Sequence, residues 1–425
     1  MSIRAFRSPR IWALPVIMIA LLSLALPACY LSGITDPQAN LHQLPVALVL
    51  EPQQPAASSS ADLDGAAESV AAAVRTGTDP EKIQIVAMST AEMTDAFRDD
   101  DIYGAVVVPS DFDRGLRNLV SPPPGTTPSR PVVTIVNNAG DGNLAAGLVN
   151  SNVTPVLAAI QRTMGERLPP SADPYRGLAM QEPFLVRTAS DRVLPPKSGA
   201  GLTPFYLALV TILIGFIGAS AIHPSIDAAI GFTPSEVGPM TSRRPYRRAT
   251  RTTTLLAKLT VLLAVAPIAA ALLQLIATSV IGVSMGQPLV MWLLLTAAIA
   301  AVGVGALSVF AIFGGPGALI NTFFFVALSL ASGPAVPAEA LPGWLRTLTS
   351  VTAMQPILDG VRAVLFFDGR SEAGLTHAWT RIGVGAAVGL ALGLVTTWLY
   401  DRNPGFSRHP DAERPVVAEP TPARA

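Results

Sequence analysis

From Gly201 to Tyr400 the chain is apolar almost throughout, and its few charges gather in short breaks. No feature constrains the fold more. A bilayer core of roughly 30 Å is crossed by about 20 apolar residues in a helix, so this tract reads as a series of membrane spans. Composition agrees: half of the 425 residues are hydrophobic and 14% are charged, against about 25% in an ordinary soluble protein.

Six segments are long and apolar enough to count: Ile11–Ser32, Leu202–Ile222, Leu255–Val283, Leu289–Phe313, Ala318–Ser332 and Ile382–Tyr400. Arg4, Arg7 and Arg10 precede the first. Between the second and third lies a loop with Arg243, Arg244, Arg247, Arg248 and Arg251, and basic residues also follow the sixth. Positive charge marks the cytoplasmic side. All three markers agree on one topology, with both termini inside. The expected architecture is therefore an α-helical integral membrane protein of six spans, with an extracytoplasmic α/β domain inserted between spans one and two. Its parts are the cytoplasmic N-terminus and first span over 1–34, the external domain over 35–200, a five-helix membrane domain over 201–400 and a disordered cytoplasmic tail over 401–425.

Cys29, the single cysteine, ends the first apolar run. A lipoprotein cleavage site and the outer end of an uncleaved helix both place a cysteine there. Pro27 suits a lipobox poorly, and the run from Ile11 exceeds the 7–15 residues of a signal-peptide core. The uncleaved helix is the reading adopted.

In the inserted segment, β-branched runs recur at Leu44–Leu50, Ile83–Met88, Tyr103–Pro109 and Pro131–Val136, alternating with helix-compatible stretches. Ser89 and Thr90 are candidate caps with Glu92 in the first turn, and Ser110 or Asp111 would cap the next helix. A long helix spans the region of Pro155, with a bend expected there. About five strands and three or four helices fill one domain. Asp99, Asp100 and Asp101 read as a solvated loop.

Several chemistries find no support. Neither Lys197–Ser198 nor Lys258 sits in a phosphate-binding glycine loop, so energy would come from a partner or an ion gradient. No Gly-x-Ser-x-Gly elbow occurs. His42, His223, His377 and His409 fall on opposite sides of the predicted membrane, and a lone cysteine builds no thiolate metal site or disulfide. No cofactor and no metal are expected, and the zero formal net charge gives no case for nucleic acid.

Two stretches carry family resemblances. "DPQANLHQLPVALVLEP" (Asp36–Pro52), "YGAVVVPSDFDRGL" (Tyr103–Leu116) and "VTIVNNAGDGNLAAGLV" (Val133–Val149) resemble the external domain of YhgE/Pip (phage-infection-protein-like) membrane proteins. "SGPAVPAEALPGWLRTLTSVTAMQPILDGVRAVLFFDG" (Ser332–Gly369) resembles the re-entrant region of type-2 ABC exporter permeases. The resemblance implies a permease-like protein of the bacterial cytoplasmic (inner) membrane, working as a homodimer with a separate ATPase subunit. It also places a coupling segment in the arginine loop, for which setting topology and docking a partner or anionic lipid are both open roles. An exit gate would lie near 333–366, with Gly333, Pro334, Pro337, Pro342, Trp344, Asp359 and Arg362 as its candidate residues. A plain interfacial helix is the competing reading, in which Asp359 and Arg362 pair across one turn. Gln274 and Asn321 are expected to bond between helices. Walls with few charges point to export of a lipidic or amphipathic substrate. The alternative is a receptor or scaffold whose external domain binds an envelope or secretion-system partner.

Overall fold

The computed structural model describes residues 35–54, 65–123, 129–171, 173–331 and 336–406, with ten positions between 16 and 31. Cys29 and most of the first expected span lie outside the described residues, as do Gly333, Pro334 and the tail from 407.

Residues 44–190 form a five-stranded sheet with helices on both faces. In chain order the elements are β1 (Leu44–Leu50), α1 (Ala66–Gly77), β2 (Ile83–Met88), α2 (Thr90–Arg98), β3 (Gly104–Val108), α3 (Phe112–Val120), β4 (Val132–Asn137), α4 (Gly142–Arg167), α5 (Pro174–Gln181) and β5 (Leu185–Ser190). The sheet order is β2-β1-β3-β4-β5, with β3 and β4 antiparallel and the other neighbours parallel. β1 has neighbours on both sides and is nearly continuous in apolar residues, as a strand covered on two faces requires. Leu44, Val46 and Leu48 enter a core shared with α1 and α4, whereas Ala47 faces Phe97 of α2.

Local chemistry explains the helix starts. Ser89 and Glu92 form a reciprocal capping box at α2, with Oγ of Ser89 accepting from Glu92 N at 3.2 Å and Glu92 Oε2 from Ser89 N at 2.7 Å. α3 has Asp111 at its cap position without a side-chain cap bond. The next acid does other work: buried Asp113 accepts from Ala67 N at 2.8 Å and Gly65 N at 3.2 Å, capping α1 from a distance. α4 runs unbroken past Pro155. Asn152 of α4 donates to Gln38 Oε1 at 3.1 Å, which holds the segment before β1 against this helix.

The second unit is helical: α6 (Thr203–Ala229), a short hairpin of β6 (Ser235–Val237) and β7 (Met240–Ser242), α7 (Arg251–Leu275, prolonged by a π-helical turn Ile276–Ile281) and α8 (Pro288–Phe313). There follow α9 (Gly317–Asn321), a π-helical segment Thr322–Ala327, α10 (Leu328–Ala331), α11 (Gly343–Thr349), α12 (Met354–Phe366) and α13 (Thr376–Arg402). α8 is the most enclosed, packed against α6, α7 and α13. Gly215 permits the α6–α8 approach, since a Cβ there would meet Ile299 O at 2.9 Å. The outer faces of α7 and α13 expose Leu263, Ile268, Val388 and Leu392, a pattern that lipid tolerates and water does not.

Among the described residues five helices are long and apolar enough to cross a membrane: Ala139–Arg167, Thr203–Ala229, Arg251–Ile281, Pro288–Phe313 and Ser371–Arg402. The first of these sends Leu148, Val149, Val153 and Leu157 into the core beneath the sheet. The other four overlap spans expected from the sequence. The expected span Ala318–Ser332 is instead a short apolar helix, Gly317–Leu330, about 21 Å long at 1.5 Å per residue, and so shorter than a bilayer core. α6 also outruns its expected end at Ile222 by seven residues, because Pro224 does not stop it.

Candidate functional site: a buried ion-pair joint

The antiparallel step between β3 and β4 brings three loops to one end of the sheet: 99–103 before β3, 137–141 after β4, and Asp191–Arg192 after β5. α12 lies against this end. Arg362 Nη1 donates to Asp141 Oδ1 at 2.8 Å and approaches Asp100 Oδ2 at 3.3 Å. The Asp141 side chain is 4% exposed, that of Asp100 15% and that of Arg362 21%. The expected pairing of Arg362 with Asp359 within its own helix is thus replaced by two partners from the sheet unit. Both lie more than two hundred positions upstream.

The acids are built in by their backbone. Asp100 adopts φ +61°, an unusual conformation for a residue with a Cβ, and Asn138 Nδ2 donates to its Oδ1 at 2.8 Å. Asn138 is fully buried and also donates to Ile102 O, while its own Oδ1 accepts from Gly140 N. The solvated loop expected at 99–101 is therefore corrected: Asp99 pairs with Arg370 at 2.9 Å and Asp100 with Arg362. Burial raises the Asp100 carboxyl, and Arg362 opposes that rise.

A second arginine crosses the joint in the other direction. Arg192 donates to Phe366 O at 2.8 Å and Phe97 O at 2.6 Å, and its guanidinium lies 4.4 Å from the centre of the Phe367 ring. Phe367 is buried against Gly140, where a Cβ would meet its ring at 2.5 Å. Further along, Tyr103 donates to Glu339 Oε2 at 2.9 Å and His42 N to Glu339 O at 2.9 Å. Val336, Ala340, Leu341 and Leu345 enter the same apolar core as the sheet. One turn before Arg362 on α12, Asp359 Oδ2 stands 3.9 Å from His377 Nδ1 on α13. Burial pushes the Asp359 carboxyl up to about 6, against the pull of Arg362 and His377.

Other candidates fall elsewhere. Pro337 and Pro342 each precede a short helical turn, and Trp344 is half exposed. Arg243, Arg244, Arg247 and Arg248 are exposed on the connection from β7 to α7. Arg251 has a structural role, donating to Phe406 O, while its N–H and that of Thr252 are capped by Asp401 at 2.7 and 2.9 Å. Asn321 donates to Ala306 O at 3.0 Å and Gln274 to Pro288 O at 2.9 Å, both between helices. Asp141, Asn138 and Arg192 were not singled out from the sequence, and Asp100 was read only as part of a solvated acidic loop. Only the density of acids in 99–101 hinted at them. No group of His, Cys, Asp and Glu suited to a metal occurs among the described residues.

Membrane-length apolar helices with a sheet unit joined to them through α12 point to a multi-pass membrane protein of the permease class. The chain belongs to the family described as ABC-2 family transporter protein, whose model it matches over residues 11–399. No curated protein and no solved structure matches it.

Proposed function

We propose that this chain is the permease half of an exporter in the cytoplasmic membrane. In this reading the short helix Gly317–Leu330 stands at the fifth of six spans, its crossing completed by the chain that follows, with both termini in the cytoplasm and the sheet unit outside, as in the YhgE/Pip-like proteins it resembles. A separate ATPase docks on the arginine loop, two copies flank the substrate path, and the cargo is lipidic or amphipathic. The observation that carries this reading is the Arg362 joint. A sheet unit that merely hung from an anchor would need no buried ion pairs to a re-entrant helix. Breaking such pairs one partner at a time costs about 3–5 kcal/mol, so the sheet unit and α12 move as one body. Movement of the gate region is then passed to the external unit, and the reverse.

The test is ATP-driven movement of a fluorescent phospholipid in vesicles holding the chain and its partner ATPase. Loss of that movement with Arg362→Met, at retained expression and ATPase binding, is the expected result. No lipid movement with the intact pair would leave the scaffold reading in its place. Unchanged movement after joint replacement of Arg243, Arg244, Arg247 and Arg248 by Ala would remove the loop from docking.

A further inference from the structure

The cytoplasmic-loop end of the helical unit holds a second charge cluster, separate from the joint. Lys258, two turns into α7, is 3% exposed, and Asp227, near the end of α6, is 4% exposed. Lys258 Nζ lies 2.8 Å from Asp227 Oδ1 and 3.0 Å from His223 Nδ1. His223 Nε2 is 3.6 Å from Asp227 Oδ2, and its ring stacks on Phe310 of α8 at 4.7 Å. Three helices therefore meet on one ion pair and one imidazole.

The ion pair constrains the protonation of that imidazole, whose role toward Lys258 depends on its tautomer. An ammonium has hydrogens to donate and no lone pair to accept with. His223 Nδ1 must then be the acceptor, which makes the ring neutral with its hydrogen on Nε2, toward Asp227. Protonating Nδ1 would set two cations 3.0 Å apart where a hydrogen bond now stands.

The cluster also sits at the base of the arginine loop. Asp227 O accepts from Phe232 N at 2.9 Å and from Thr233 N at 3.4 Å, and Arg247 N donates to Ile230 O at 2.9 Å. Gly231, at φ +78°, lets the two arms of the loop touch, since a Cβ there would lie 2.5 Å from Arg244 O. The loop is thus a closed hairpin held at its root by main-chain bonds to Asp227 O and Ile230 O, and the Asp227 side chain ties that same root to Lys258 of α7.

We propose that His223, Asp227 and Lys258 form a proton-sensitive latch that sets the position of the arginine loop. Charged groups that face His223 include Asp227 on its own helix and Lys258 on α7, and Phe310 of α8 stacks on its ring. With His223 neutral, Lys258 bridges α6 and α7 and the loop root is clamped. With His223 protonated, the imidazolium takes Asp227, and Lys258 turns to the small cavity it lines with Arg251, Thr254 and Thr397. A second cation already occupies that wall, so the released state is strained and the loop root loosens. The consequence for partner docking rests on the function proposed above, whereas the latch itself does not.

The test uses the full chain in phospholipid nanodiscs, with Cys29→Ser to remove the native thiol and Thr241→Cys on β7 carrying a nitroxide. Its spectrum is followed from pH 8 to pH 5. The expected result is an immobile probe at pH 8 that gains mobility in one transition as the pH falls. His223→Gln, which offers Lys258 an acceptor that does not titrate, should abolish the transition and leave the probe immobile. Asp227→Asn should leave it mobile at every pH. The double replacement Asp227→Leu with Lys258→Met, which avoids a buried lone charge, should fold and show no transition. A transition that persists in His223→Gln or in the double variant overturns the latch, as does an Asp227→Asn probe as immobile as the parent's. These readings need neither ATPase nor cargo, so failure of the latch and failure of the transport reading are told apart.

Discussion

Arg362 is the residue on which the joint depends. Its single positive charge is shared between Asp141 and Asp100, two carboxyls that burial pushes toward their protonated forms, in a site from which water is largely excluded. Replacement by Met removes the cation that both carboxyls face, for a loss of about 3–5 kcal/mol. A fall in the melting temperature of the detergent-solubilised protein checks this, and Arg362→Lys should recover only part of it, since a point charge does not reproduce the guanidinium geometry. Asp359 acts in the opposite sense. Its carboxyl titrates at about 6 in the fold, above its ordinary value of 3.8. A raised acid favours the folded state fully below the unfolded value, and that contribution is lost as the pH rises through about 6. Melting temperature should therefore fall between pH 4 and pH 7 by an increment that Asp359→Asn removes. Gly140→Ala tests the apolar side of the same contact. Its methyl would collide with Phe367, and overpacking of this kind costs about 1–3 kcal/mol.

At the scale of elements, the helix ends are set by partners distant in sequence. α7 begins where it does because Asp401, near the end of α13, accepts from the N–H groups of Arg251 and Thr252 and from the Thr252 hydroxyl. The N-terminus of one helix is thereby tied to the C-terminus of another, with a carboxylate at the positive end of the helix dipole. Asp401→Ala should cost about 1 kcal/mol, as losses of a cap do, and the α7 start should fray. Faster amide exchange confined to residues 250–254 is the expected signature. An unchanged exchange profile would mean that Thr250, whose hydroxyl accepts from Thr253 N, caps the helix alone.

At the scale of the molecule, the proposed topology puts the sheet unit and the arginine loop on opposite sides of the bilayer. In a Cys29→Ser background, Tyr175→Cys on the highly exposed α5 should react with a membrane-impermeant maleimide added to intact cells. Thr241→Cys should react only after the membrane is opened. Labelling of both positions from the same side would break the inserted-domain architecture.

Much of this was legible beforehand, for definite reasons. β1 and β2 have the bounds read from their β-branched runs: β1, covered on both faces, needs continuous apolar sequence, and β2, at the sheet edge, buries Ile83 and exposes Gln84 and Ala87. The Ser89 cap was visible because a capping box is local, three residues long. α8 was placed to within one residue, since only apolar residues satisfy a helix enclosed by other helices. The charges were not legible. Asp99–Asp101 looks like any polar turn, and nothing nearby announces that Arg362 will meet it. His223 and Asp227 fall past the expected end of the second span at Ile222, yet the helix runs on through Pro224 to Ala229.

The sequence by itself determined which segments are apolar enough for a bilayer or a buried strand and where local caps start a helix. These are properties of short windows, fixed by hydrophobic burial and near-neighbour hydrogen bonds. Only the tertiary structure decided which carboxylates meet Arg362, how Lys258 is shared between Asp227 and His223, and why Ala318–Ser332 yields a short helix that leads into the joint. An ion pair acquires its meaning when folding removes water from both partners, and these partners stand 31 to 262 residues apart in the chain.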